Sequence, residues 1–253
     1  MVKGLVKFTE HFAGHEDQYV LIGGTAMVLA LEEVDIPTRG TKDLDIVLSL
    51  EVLDPAFVAA FWAFVREGDY EVKERSDSDR TFYRFRRPKT DGFPEMLELF
   101  SRKPDALTVP GGQVIVPIKA GEEAESLSAI LLDEDYYRFL HARKEMIRGV
   151  PVVDSPGLIA LKAHAWVQLS AARDAGQEVD RSKINKHRAD VLRLSQMLAP
   201  STRVPVPAKI LAEIEQLLAG IDPAAVNLKQ LEIAGTLDEA IDRIRAAFQV
   251  EGA

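Results

Sequence analysis

Residues 19–48, YVLIGGTAMVLALEEVDIPTRGTKDLDIVL, constrain the fold more than any other segment of the chain. Tyr19–Ile22 is a compact apolar run suited to a buried strand, and Gly23-Gly24 is a tight exit from it. Residues 25–34 are helical by composition, and Pro37 ends any continuation. A second strand follows at Asp43–Leu48. On a strand of period two, Asp43 and Asp45 point to one face while Leu44 and Ile46 point to the core. Two like charges side by side repel unless a cation is shared between them. Carboxylate oxygens are what Mg²⁺ takes, usually together with substrate phosphates. The glycine turn just upstream aims backbone N–H groups and a helix N-terminus at an anion. Metal and phosphate binding thus fall within one short unit, and that points to nucleotide chemistry.

Composition narrows the class. A chain of 253 residues holds one large or two modest domains with ample core. Its 47% hydrophobic and 28% charged residues describe an ordinary soluble globular protein. The opening MVKGLVKFTEHF is too charged and interrupted for a signal peptide. The longest apolar-looking run, residues 20–31, falls short of the ~18 residues of a membrane span. A cytoplasmic protein without a membrane partner is the expectation. With no cysteine, disulfides and thiolate metal sites are excluded, leaving carboxylates and histidines as ligands. The five histidines show no HxxxH spacing, so a histidine-based zinc site is not expected. The net charge of −9 disfavours a duplex-coating protein, yet a local basic groove or a basic partner remains compatible with it.

Further along, residues 5–14 suit a short helix, and residues 54–66 an amphipathic one with Asp54 as N-cap and Pro55 at its first position. Strands are expected at 70–74, 81–86, 95–100, 114–118 and 126–132, and a helix at 133–143. The composition changes after Asp154. From there the periodicity predicts helices only, at 156–175, 184–198, 207–219 and 236–248. The fold class is therefore α+β: an N-terminal mixed sheet with helices over residues 1–154, then a C-terminal helical bundle over residues 155–253.

A third carboxylate is needed to complete a metal site and act as base. Glu98 in MLELF fits, sharing a strand face with Met96 and Phe100, while Glu95 competes from the start of the strand. The turn Gly23-Gly24-Thr25 is neither a Walker loop nor a GxGxxG fingerprint, and alone it reads equally well as a structural turn. Likewise, DLD alone is more often a solvated strand end; Arg39 and Thr41 in the preceding loop shift the balance toward metal and nucleotide. The stretch RTFYRFRRPK, residues 80–89, has two readings. It steers a nucleic-acid acceptor through arginines, with Phe82 or Tyr83 stacking, or it is an ordinary strand with core aromatics and solvated arginines, the reading preferred on composition. Lys162, between Leu161 and Ala163, reads as a snorkelling surface lysine unless a ligand claims it.

The order GGTA, RGTKDLDIVL, then an apolar strand bearing one carboxylate resembles the DNA polymerase β-type nucleotidyltransferase superfamily. LIALKAHAW and KINKHRADVLRL resemble the later lysine and aspartate motifs of AbiEii-type nucleotidyltransferase toxins, so the similarity spans about residues 19–198. The resemblance implies a catalytic domain at 1–154 and a helical domain at 155–253 that completes a cleft for NTP and acceptor. It implies that Gly23, Gly24 and Thr25, with Arg39 and Thr41, hold the NTP. Asp43, Asp45 and Glu98 would bind Mg²⁺, two ions in this superfamily, and Glu98 would also deprotonate the attacking hydroxyl. Lys162 would contact the triphosphate, and Asp190 would be the late acidic residue. Two departures stand out: the family's Gly-Ser is Gly-Gly-Thr here, and Ala189 separates Asp190 from the basic Lys186, His187 and Arg188. The implied activity is transfer of a nucleoside monophosphate to tRNA or protein, by a toxin countered by a cognate antitoxin. Two alternatives remain open: a small-molecule nucleotidyltransferase of the aminoglycoside kind, and a catalytically lapsed module that binds a nucleotide or a partner.

Overall fold

A computed structural model of the chain describes residues 2–72, 83–103, 115–118 and 127–251. These form two compact units, one of Met1–Leu29 with Thr38–Val153, the other of Ala30–Pro37 with Asp154–Ala253. In chain order the first unit contains α1 (Leu5–His11), β1 (Tyr19–Ile22), most of α2 (Gly23–Glu32), β2 (Asp43–Leu48), α3 (Pro55–Glu67), β3 (Glu71–Val72), β4 (Arg84–Arg86) and β5 (Met96–Ser101). It continues with β6 (Ile115–Ile118), β7 (Leu127–Leu131), α4 (Glu134–Ala142), β8 (Lys144–Ile147) and β9 (Val150–Val153). The expected strands at 70–74, 81–86, 114–118 and 126–132 fall partly outside the described residues.

These strands form one mixed sheet in the order β3-β4-β5-β2-β1-β9-β8, with β7 also on β5 and β6 on β7. β1 and β2 are antiparallel, Ile22 opposite Asp45, while β2 and β5 are parallel, Asp45 opposite Glu98. One face carries Tyr19, Leu21, Leu44, Ile46, Phe85, Leu97 and Leu99, all essentially inaccessible. An aromatic layer from α1 and α3 covers it. Phe8 meets Tyr19 edge-on at 5.5 Å and Phe64 at 5.6 Å, and Phe61 meets Phe85 at 5.4 Å. Asp54 caps α3 by accepting from the Phe57 N–H at 2.8 Å, and Pro55 sits in its first turn. The apolar layer thereby fixes the register of β2, β4 and β5, because a slip by one residue would turn their charged residues into it.

The hairpin β8–β9 was not expected from the sequence. Ile147 faces Val150 across a two-residue turn in which Arg148 and Gly149 both have positive φ, 51° and 79°. Such turns match the twist of the strands they join, so the Arg-Gly pair between two apolar runs was its sequence signal. β9 then joins β1 in parallel, Val152 beside Leu21.

The second unit holds α5 (Ser155–Asp174), α6 (Arg181–Leu194), α7 (Ala208–Ala219) and α8 (Leu237–Ala247), with α5 packed on α6 and α7. The starts of α5, α6 and α8 have side-chain caps. Asp154 accepts from the Gly157 N–H at 2.9 Å, Asp180 from Ser182 at 2.8 Å, and Thr236 with Glu239 forms a capping box. The Asp180 cap starts α6 three residues before the predicted 184. The expectation of helices only is corrected here: β10 (Val204–Val206) and β11 (Phe248–Val250) pair in parallel. Both strands are three residues long, and Pro205 sits inside one, so no period-two signal could form. No described helix is long and apolar enough to cross a membrane.

Candidate active site

The sheet face opposite the aromatic layer carries the predicted carboxylates. On β2, Leu44 and Ile46 are fully buried, whereas Asp43 and Asp45 are half-buried. Parallel pairing sets Met96 beside Asp43 and Glu98 beside Asp45, so the three carboxylates share one face. Glu95 lies just before β5, where its carboxylate accepts from Lys3 at 2.5 Å. That hydrogen bond and the lysine's charge hold the Glu95 carboxyl below the usual range. Glu95 is thus engaged with the N-terminal segment, and Glu98 is the acidic residue that accompanies the aspartates.

The glycine turn is shaped around Asp45. Gly23 has φ +68°, and a Cβ placed there would lie 2.0 Å from Asp45 Oδ2. A Cβ on Gly24 would lie 3.0 Å from Thr41 Oγ1. Thr25 is fully buried, and its hydroxyl donates to the Asp43 carbonyl at 2.9 Å, tying the first turn of α2 to the strand that bears the carboxylates. Arg39 is exposed in the loop before β2, and the Thr41 carbonyl accepts from the Lys3 N–H at 3.1 Å. Gly23→Ala is expected to displace the Asp45 carboxylate and cost about 1–3 kcal/mol, since alanine is strained at that φ and no space exists for its methyl. Chemical denaturation compared with Gly14→Ala, at a φ of +88° with open surroundings, separates the steric part.

A divalent cation suits the donors that Asp43 and Asp45 offer, hard oxygens on one strand face beside a turn with no side chain in the way. Glu98 is held differently. Its Oε1 accepts from both Nε and Nη2 of Arg84, directly opposite it on β4. Among the described residues no three His, Asp or Glu side chains are gathered closely enough to hold a metal ion. Arg84 belongs to the basic stretch 80–89, of which residues 80–82, Phe82 included, lie outside the described residues. Two of its other described cations also turn to nearby acids: Arg87 lies 3.6 Å from Glu71 and Lys89 3.3 Å from Asp69. That favours the ordinary-strand reading of the stretch. Sequence reasoning missed Arg84 as the partner of Glu98, because the pairing depends on the β4–β5 register.

The remaining predicted residues lie in the second unit. Lys162 on α5 is 6% exposed and donates to Asp190 Oδ2 on α6 at 2.9 Å. It is no snorkelling surface lysine. Asp190, 3% exposed, is its counter-ion, and two buried charges of opposite sign satisfy one another where either alone would be costly. His164 binds Glu213 on α7 at 2.9 Å.

His187, one turn before Asp190, has a buried Nδ1 with no hydrogen-bond partner. Burial, then the charge of Lys162, pushes its pKa down to about 4, with Asp190 opposing and Lys186 adding to the shift. Above the ordinary value near 6.5 both folded and unfolded forms are neutral. As pH falls from there toward 4, the unfolded chain takes up a proton that the folded chain refuses, so stability falls with pH. His187→Gln is expected to remove about 1–2 kcal/mol of that acid destabilisation, allowing for solvent screening. Urea titrations of both proteins at pH 7 and pH 4.5 measure it.

A protein-family model described as "Nucleotidyl transferase AbiEii toxin, Type IV TA system" matches residues 10–247. No curated protein matches the chain. A solution structure of the antibiotic-resistance factor ANT(2'')-Ia is similar at 13% identity over 85% of this chain and 88% of that one. Its TM-score of 0.39 is too low for that likeness to carry an argument.

Proposed function

Since the chain belongs to the AbiEii family of nucleotidyltransferase toxins, we propose that it moves a nucleoside monophosphate from an NTP to a tRNA or protein acceptor, with Mg²⁺, and that a cognate antitoxin counters it. The observation that carries this reading is the row of Asp43, Asp45 and Glu98 on one sheet face, beside a glycine turn whose missing Cβ accommodates Asp45.

Asp43 and Asp45 are the residues that would hold Mg²⁺. A Mg²⁺ ion held there would supply positive charge to offset the triphosphate and the charge building on the attacking and leaving oxygens. Gly23 and Gly24, at the head of α2, offer backbone N–H groups and the positive end of the helix to the phosphates. Thr25 positions that turn against β2 through its bond to the Asp43 carbonyl. Arg39 and Thr41 belong to the same loop and are assigned to the nucleotide. The acceptor hydroxyl attacks the α-phosphorus: a new oxygen–phosphorus bond forms, the bond to the β-phosphate bridging oxygen breaks, and pyrophosphate leaves. Glu98 takes the hydroxyl proton once its carboxylate is available. Lys162 is assigned to nucleotide phosphate, and Asp190, 2.9 Å away, holds its side chain in place inside the helical unit.

Incubation with each α-labelled NTP, Mg²⁺ and either total tRNA or a cell lysate tests the proposal. Label is expected to pass to one macromolecular fraction and to stop on chelation. Label passing only to an added aminoglycoside would move the assignment to small-molecule transfer, and no transfer under any condition would support the lapsed module.

A further inference from the structure

We propose that Arg84 is a positioning residue for the transfer reaction: it holds Glu98 away from metal in the resting protein and so sets when that carboxylate becomes a ligand and a base. The inference rests on the reading of Asp43 and Asp45 as the metal pair.

Three adjacent strands line up the groups concerned. Arg84 on β4 is opposite Glu98 on β5, and Glu98 is beside Asp45 on β2, so guanidinium, carboxylate and carboxylate form one row. The aim of Arg84 is set by the core. Its neighbour Phe85 is fully buried, packed on Phe61 at 5.4 Å and edge-on to Trp62 at 5.7 Å. With Phe85 anchored in the aromatic layer, strand alternation sends Arg84 to the carboxylate face.

The pair is made by more than one contact. Two guanidinium nitrogens converge on one oxygen, Glu98 Oε1, and the Glu98 side chain is only 12% exposed. Charge-assisted contacts of this kind are among the stronger ones in proteins, and partial burial reduces screening. The charges give the pairing a function beyond sheet stability. Asp43, Asp45 and Glu98 place three negative charges on one face, and Arg84 supplies a positive charge at the Glu98 end of the row. It also competes directly with a dication for Glu98. Metal held by Asp43 and Asp45 that reaches for Glu98 Oε1 must compete with the guanidinium for that oxygen.

Mn²⁺ binding to the full chain without nucleotide, read by electron paramagnetic resonance of the free ion, tests this. The proteins are wild type, D45N, E98Q, R84M, R84K and the double variant R84M/E98Q. Wild type is expected to bind Mn²⁺, D45N to lose binding, and E98Q to bind as wild type, since Arg84 already withholds that carboxylate. R84M is expected to bind about tenfold more tightly, and R84M/E98Q to return to the wild-type value. R84K keeps the charge without the two-nitrogen grip and should show a smaller gain that also disappears with E98Q, which carries the test if R84M does not fold. Weaker binding by E98Q alone would overturn the proposal, because Glu98 would then be a ligand already. A gain in R84M that survives in R84M/E98Q would overturn it too, as a through-space charge effect. If D45N binds like wild type, the metal-pair reading fails and takes the proposal with it. Loss in D45N without coupling between Arg84 and Glu98 sinks the proposal alone.

Discussion

Asp45→Asn is expected to abolish nucleotidyl transfer, by on the order of 10³-fold or more, while leaving the fold intact. The side chain is half-buried beside Gly23, and Asn has nearly the same shape, so packing is preserved. What is lost is the charge that would fix a cation against the triphosphate, and preorganised charge stabilisation is commonly the largest single contribution to catalysis. Removing one of two neighbouring carboxylates also relieves repulsion in the metal-free protein, so the thermal midpoint should stay level or rise slightly. Asp43→Asn is expected to behave the same way. Single-turnover assays with labelled NTP, run beside thermal melts, provide both readouts. Transfer surviving in the D43A/D45A double variant would remove this strand from the chemistry.

The second large effect concerns Lys162. Truncation to alanine strands the Asp190 carboxylate inside the helical unit, and breaking one partner of a buried pair costs about 3–5 kcal/mol. K162A and D190A should each lower stability by that amount. K162M/D190L, which removes both charges and keeps apolar volume, should recover most of it. Denaturant titrations of wild type and the three variants make the comparison. Activity then has to be compared between folded populations: if K162M/D190L is stable but uses NTP poorly, Lys162 contacts nucleotide. If its NTP affinity and turnover match wild type, the pair is structural and the assignment of Lys162 to phosphate fails.

The legibility of this chain follows the range of the interactions that determine each part. Strands β1 and β2, and the glycine turn between β1 and α2, could be read because apolar alternation, Gly-Gly and DLD are local signals. Helices α3, α5 and α8 carry their own start signals in Asp54-Pro55, in Asp154 before Pro156, and in Thr236 with Glu239. Partners across strands were not legible. That Arg84 faces Glu98, and that Lys162 meets Asp190 twenty-eight residues later, depends on register and helix packing that no local pattern encodes. The β10–β11 pair was hidden for a similar reason, since each three-residue strand is defined only by the other.

The position of the carboxylate row within the sheet bears on how the protein loses its activity. β2 lies between β1 and β5, and β5 is covered on its other edge by β4 over Met96–Glu98 and by β7 beyond. Amide protons of such interior strands exchange with solvent only through the largest opening events, whereas edge hairpins such as β8–β9 open at much lower free energy. Fraying of that edge should therefore leave Asp45 and Glu98 in register. Fraying of the β8–β9 edge on heating would then cause no loss of activity ahead of the opening of β2 and β5.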